Sequence, residues 1–192
     1  KNDYCHPKIL TIEFAKFLDS NNCFTLKGST ICDMGSGGAS GLHYLAKTYP
    51  AINFLGIDYN VNLIDWVRNT LWTREENLAL KNLLLEYGDW SDPISILDAT
   101  KKHKIEGVLS VHSLCTQRFF HEAVLPLIKL KPKWIAFNSL FYDGPLDILI
   151  HIRNYESDLE DDNPDGDFNI HSLSNAISIM KNHNYNIVGY ER

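Results

Sequence analysis

The chain has 192 residues, 44% of them hydrophobic and 22% charged. This length predicts one domain with a single good core, and the composition is that of a folded globular chain rather than a disordered one. Eighteen Lys plus Arg against 24 Asp plus Glu give a formal charge of −6, and no Lys/Arg cluster stands out along the sequence. A DNA or RNA partner is therefore disfavoured, because neutralisation of phosphate dominates such binding.

Cys5, Cys23, Cys32 and Cys115 form no Cys-x-x-Cys pair and no metal spacing with histidine, so reduced thiols and a cytoplasmic location are expected. No apolar run is long enough to span a bilayer and no signal peptide is recognisable, so no membrane insertion is expected.

In chain order, Leu10, Phe14, Phe17 and Leu18 after Pro7 predict an amphipathic helix, part of a helical cap over 1–28. Thr30-Ile31-Cys32 predicts a first strand ending in Asp33, followed by the loop Met34-Gly35-Ser36-Gly37-Gly38-Ala39. Leu42, Leu45, Ala46 and Tyr49 then fall at helical spacing until Pro50, and Ile52 to Ile57 predicts a second strand ending in Asp58. Asn60 is a natural N-cap for a helix burying Leu63, Ile64, Val67 and Leu71, on which Trp66 and Trp72 are expected as packing residues.

Leu83 to Leu85 predicts a third strand leading into Asp89 and Trp90, and Gly107 to Val111 a fourth leading into His112-Ser113. Thr116 is expected to cap a helix burying Phe119, Phe120, Ala123, Val124 and Leu127. Trp134 to Phe137 is a fifth strand, with a loop from Asn138 to Pro145. His151 and Arg153 are read on a helix, and Tyr155 to Asp167 as an acidic, solvated segment. Leu173, Ala176, Ile177 and Met180 mark another helix, and Asn186 to Gly189 a sixth strand. Alternating strands and helices predict an α/β fold, a doubly wound and mostly parallel sheet with helices on both faces.

The chemistry centres on the glycine loop. A strand, a glycine-rich turn and a helix present backbone amides and a helix N-terminus above the strand ends, and an acid closing the next strand can accept a ribose diol. The dinucleotide pattern Gly-x-Gly-x-x-Gly gives Gly35, Gly37 and then Ser40, so its third glycine is absent, and the loop has no lysine for a nucleotide triphosphate. Asp33 on the first strand would repel a pyrophosphate but suits a cofactor with a cationic amino group.

Asp33-x-Gly35-x-Gly37 resembles the first motif of the class I S-adenosylmethionine-dependent methyltransferases, with Ala39 where a further glycine is usual. The resemblance runs from about Thr30 to Arg192. It implies a Rossmann-like fold, S-adenosylmethionine as cofactor and S-adenosylhomocysteine as product. Asp33, Gly35, Ser36 and Gly37 would then hold the methionine part, Asp58 the ribose and Tyr59 the adenine. Asp89 would take the adenine amino group, with Trp90 covering the ring. It also implies an antiparallel seventh strand; the sequence shows none after Arg192, so a longer natural C-terminus is expected.

In such enzymes the end of the fourth strand faces the acceptor. The Asn/Asp-Pro-Pro-aromatic motif of amino-group methyltransferases is missing there, as is the aspartate of the metal-dependent catechol type. An O-directed, metal-independent reaction is expected, with His112 as base, since an alcohol needs its proton removed and imidazole titrates near neutrality. His112 also counts as a cofactor contact. Tyr142, as a second catalytic candidate, Asp143 and Arg153 are candidates for binding the acceptor, a small polar molecule such as a sugar or nucleotide sugar of bacterial surface glycans. His43, His121, His171 and His183 are expected at the surface. Alternatives are a small-molecule or protein N-methyltransferase and a non-catalytic binding protein; a homo-oligomer is compatible with all three. Asp161-Asp162-Asn163-Pro164-Asp165-Gly166 mimics the start of a calcium loop, but the twelfth position is Ser172 rather than Glu.

Overall fold

The structure, a computed structural model, describes residues 7–74, 80–153 and 165–189. Five strands, β1 (Thr30–Met34), β2 (Asn53–Asp58), β3 (Leu83–Tyr87), β4 (Ile105–Val111) and β5 (Trp134–Asn138), form one sheet in the order β3-β2-β1-β4-β5. Every neighbouring pair is parallel. The strand order reverses between β1 and β4, and parallel strands on either side of that point open a crevice at their carboxyl ends.

Side-chain alternation divides the core into two layers. Ile31 and Phe54 face a cluster built with Ala15, Leu18, Leu42, Leu45, Ile64 and Val67. These come from α1 (Ile9–Ser20), α2 (Ser40–Thr48) and α3 (Val61–Trp66), the last continued by a π-helical turn through Val67–Leu71. Cys32 and Leu55, one residue on, face the opposite cluster with Ile96, Val124, Leu127 and Met180. These belong to α4 (Pro93–Thr100), β4's neighbour α5 (Phe120–Lys129) and α6 (Leu173–Asn182). The period of two along each strand thus buries both faces of the sheet, the Rossmann-like doubly wound arrangement. Asn60 caps α3 as expected, its Oδ1 accepting from the Leu63 amide at 3.0 Å.

Beyond β5 the chain departs from the expected order. Phe141–Tyr142, expected as loop, forms the short strand β6, and His151 and Arg153 lie on strand β7 (Ile148–Arg153), not a helix. Ile148, Ile150 and Ile152 alternate with Leu149, His151 and Arg153, a pattern that favours the pleated surface. β7 pairs antiparallel with β8 (Asp165–Ser172), and β8 pairs parallel with β6, giving a small mixed sheet ordered β6-β8-β7. Antiparallel pairing therefore does occur, apart from the main sheet. Of the acidic segment and the apparent calcium loop, 155–164 lie outside the described residues.

Two further expectations fail. Asn186 to Gly189 forms no strand, because it pairs with no ladder; Val188 is exposed, while Tyr185 ties the segment down through its hydroxyl to the Pro132 carbonyl at 2.9 Å. Thr116 caps no helix: it ends a 3-10 turn (Leu114–Thr116) with its hydroxyl on the Ser113 carbonyl, and Phe119, expected inside, is exposed at the N-cap of α5.

Candidate functional site

The β1–α2 loop reverses direction through left-handed residues: Gly35 at φ +72°, Gly37 at +53° and Ala39 at +57°. The Gly35 and Ser36 amides donate to the Ile57 carbonyl at 2.8 and 3.0 Å, fastening the loop to β2. A Cβ on Gly37 would meet nothing within 4 Å, so backbone lies open there to a close approach. Gly35 is different. A Cβ on it would sit 2.4 Å from the Ser113 Cβ, so a side chain from the far end of β4 fills the space beneath the loop. The Ser113 hydroxyl bonds to the Met34 carbonyl and lies 2.7 Å from the Ser110 hydroxyl. Ser113 is a latch that sequence reasoning missed, since nothing local shows that it meets a loop 79 residues away.

Two carboxylates close β1 and β2. Asp33 is buried, and its carboxyl is pushed well above the usual range, first by burial and then by the charge of Asp58; an opposing hydrogen bond comes from the Val111 amide. Its Oδ1 has no partner. Asp58 is also buried and is held on both oxygens, Oδ2 accepting from the Gly37 amide at 2.8 Å and Oδ1 from the Asn60 amide at 2.9 Å. Each oxygen keeps a second lone pair.

His112 follows directly on Val111. It is exposed, and its backbone sits at φ +60° with its amide donating to the Asn138 carbonyl at 2.9 Å. Positive φ costs a residue with a Cβ of order 1 kcal/mol. At the C-termini of α1, α5 and α6, Asn22, Lys131 and Asn184 also adopt it, where it closes the helix. No helix ends at His112; its left-handed turn lies directly after β4, at the carboxyl end of the sheet. The turn after it is clamped from β8: Asn169 Nδ2 donates to the Cys115 and Gln117 carbonyls at 3.2 and 3.0 Å, and His171 Nε2 meets the Leu114 carbonyl at 3.2 Å.

Among the described residues, the buried side-chain nitrogens and oxygens without a hydrogen-bond partner are Asp33 Oδ1, Ser36 Oγ, Ser139 Oγ and His171 Nδ1. Asp33, Ser36 and Ser139 lie at the carboxyl ends of β1 and β5 or in the loops that follow. His171 lies on β8, against the turn after β4. Buried polar atoms are ordinarily paired, so unpaired ones gathered at one end of a sheet mark a place arranged for something other than stability.

The remaining expected residues divide. Tyr59 is largely exposed beside Asp58, and Asp89 is half-buried with Oδ1 accepting from the Ser91 amide at 2.8 Å. Trp90, expected to cover the adenine ring, turns inward instead: its ring is in the core and its Nε1 donates to the Ala123 carbonyl at 2.6 Å, because α5 packs across that position. Tyr142 and Asp143 are exposed at β6, and Arg153 ends β7. His43 and His171 are buried rather than at the surface, and Trp66 is exposed while Trp72 is buried.

No family model matches the sequence, and no curated protein matches it. The fold is shared with solved structures. The glycopeptide N-methyltransferase MtfA complexed with sinefungin superposes with a TM-score of 0.66 at 10% identity, over 96% of this chain and 79% of that one. The N-terminal domain of EvdMO1 with S-adenosylhomocysteine bound gives 0.59 at 13% identity, over 95% and 74%. Magnesium protoporphyrin IX methyltransferase (ChlM) from Synechocystis PCC 6803 with S-adenosylhomocysteine bound gives 0.57 at 13%, over 93% and 73%. The chain has the class I methyltransferase fold. In that fold Asp33, the glycine loop, Asp58 and His112 all belong to the carboxyl end of the parallel sheet, where such sheets hold their ligands.

Proposed function

We propose that the chain is an S-adenosylmethionine-dependent methyltransferase that methylates a hydroxyl of a small polar acceptor, a sugar or nucleotide sugar of bacterial surface glycans made in the cytoplasm. The observation that carries the cofactor is the unpartnered, buried Asp33 Oδ1 beside an open glycine backbone. A carboxyl held short of a partner there suits an ammonium and opposes the pyrophosphate of a dinucleotide. The S-adenosylhomocysteine bound in EvdMO1 and ChlM supports the same group here.

In this reading Asp33 and the loop residues Gly35, Ser36 and Gly37 hold the amino-acid portion, Asp58 accepts the ribose diol with its free lone pairs, and Tyr59 and Asp89 flank the adenine. Trp90 supports the site from the core. Bound S-adenosylmethionine supplies a methyl group on a sulfonium, already electrophilic. The protein then has to place an acceptor oxygen in line and exclude water, and positioning of this kind supplies much of a rate enhancement.

His112 removes the hydroxyl proton onto its imidazole, so the reading needs no metal. Its amide, fixed to Asn138, and the Ser113 latch beneath the glycine loop set its backbone relative to Asp33. Tyr142 and Asp143 supply hydroxyl and carboxylate to a polyol, and Arg153 the cation for a phosphate. The whole chain is read as one methyltransferase domain. Within it α1 packs against α2, where Thr11 meets the space above Gly41. An amine acceptor is the second reading, favoured by the superposition on MtfA.

The test is release of S-adenosylhomocysteine with sugars, nucleotide sugars and amines as acceptors. Hydroxyl acceptors are expected to turn over, and His112→Ala to lower that turnover about 100-fold with cofactor affinity unchanged. Transfer to amines alone, indifferent to His112→Ala, would replace this reading with the second. Cofactor binding without transfer to any acceptor would make the chain a binding protein.

A further inference from the structure

At the opposite, amino end of the sheet the fold gathers what the sequence kept apart. The turns before β4 and β5 carry Lys101, Lys102, Lys104, Lys129, Lys131 and Lys133, and the same segments hold only two carboxylates, Asp98 and Glu106. This is an excess of four positive charges on a chain of formal charge −6. Two short lysine runs, 101–104 and 129–133, are brought together because β4 and β5 are neighbours and the Lys133 amide bonds to the Glu106 carbonyl at 2.8 Å.

Glu106 organises the site. Its carboxylate is little exposed and takes one lysine on each oxygen, Lys104 on Oε1 at 2.9 Å and Lys133 on Oε2 at 2.7 Å. With Glu106 saturated, Lys131 has no carboxylate partner among the described residues, while Lys101 holds Asp98 at 3.2 Å. Lys131 also occupies the left-handed position that ends α5, at φ +54°, where glycine is favoured. A lysine stands there at a backbone cost of order 1 kcal/mol.

Lys101, Lys104, Lys131 and Lys133 rim a cavity of about 590 Å³, within the range of small-molecule sites. Its walls include the apolar Leu97, Ile105 and Leu130. His103 lies between this cavity and a smaller one of about 110 Å³ that reaches Lys81. A concave, part-apolar site with a cationic rim fits a compact organic anion better than a flat lipid surface or a nucleic-acid backbone.

We propose that this cavity, where the Glu106-anchored lysines meet Leu97, Ile105 and Leu130, binds a phosphorylated small molecule with an apolar body. The site is separate from the glycine loop and does not rest on the methyltransferase reading. Neither proposed substitution below touches the candidate site.

Phenyl phosphate is the probe, titrated calorimetrically at low ionic strength beside inorganic phosphate. One site per chain is expected, with phenyl phosphate binding roughly ten-fold tighter than inorganic phosphate, because the ring is buried on apolar side chains. The double substitution Lys101→Glu, Lys131→Glu should weaken phenyl phosphate by about ten-fold or more, with S-adenosylmethionine binding as in the unaltered chain. Amide chemical shifts of the unaltered chain give a readout free of any folding defect, and 101–105 and 130–133 are expected to move. No binding, several equivalent weak sites, equal affinity for the two probes, unchanged affinity in the double variant, or shifts confined to other segments would each overturn the proposal.

Discussion

The two ends of the parallel sheet hold acids in opposite ways. At the carboxyl end Asp33 is buried with an oxygen unpaired and another carboxylate nearby, and its carboxyl is pushed up. At the amino end Glu106 is equally sheltered but holds a lysine on each oxygen, and its carboxyl is pushed down, first by Lys133 and then by Lys104. Around the carboxyl end Gly35, Gly37, Ala39 and His112 adopt positive φ where no helix is closing; at the amino end Lys131 closes α5 and Gly28 leads the chain into β1. Unmet polar atoms thus gather at the carboxyl end, whereas at the amino end the buried carboxylate is fully paired and the charge left over is an excess of lysines.

The largest effect expected on this contrast comes from Gly35→Ala. The new methyl group would overlap Ser113 and adopt a φ of +72°. Overpacking and backbone strain together should lower stability by about 3 kcal/mol or more, read in urea unfolding. Adding Ser113→Gly should restore part of the loss, and a strictly additive double variant would mean that the two residues do not meet. Next, Asn169→Ala removes both hydrogen bonds from β8 to the turn after β4 and should cost about 1–3 kcal/mol. A loss below a few tenths would show that β8 does not hold the turn.

A sharper test of the comparison is its pH dependence. Asp33 binds its proton more tightly folded than unfolded, so its contribution falls as pH rises above about 4. Asp33→Asn should therefore raise the melting temperature at pH 7–8, and the gain should shrink as pH falls toward 4. Glu106 has the reverse sign: its contribution is present above its unfolded value and is lost as pH falls through its depressed one. Glu106→Gln should lower the melting temperature at neutral pH, with the deficit closing in acid. If both variants respond in the same direction, the two ends do not differ as described. The smallest effect is Ala39→Gly, where relief of a left-handed alanine and loss of a buried methyl nearly offset, leaving stability within about 1 kcal/mol.

What the sequence showed and what it hid follow from range. The strands, the glycine loop and the pair Asp33 and Asp58 were legible because each is a local pattern of period, turn chemistry and terminal acid. β7 is legible too, in the alternation of Ile148, Ile150 and Ile152, although His151 and Arg153 are also compatible with the helix expected there. Asn186 to Gly189 shows the converse, since local strand character produces no strand without a neighbour to pair with. Ser113 beneath Gly35, Trp90 turned into the core by α5, His171 buried on β8 and the lysines around Glu106 all depend on segments brought together only by folding. Of the candidate site, the strand-end acids and the glycine loop are written locally, whereas the contacts that hold the turn after β4 are not.

Calorimetric titration with S-adenosylmethionine, S-adenosylhomocysteine and NAD, on the unaltered chain and on Asp58→Ala, tests the central claim most directly. Micromolar binding of both sulfur compounds and none of NAD is expected, with affinity falling about ten-fold or more in Asp58→Ala. Binding of NAD alone, or of none of the three, would contradict it.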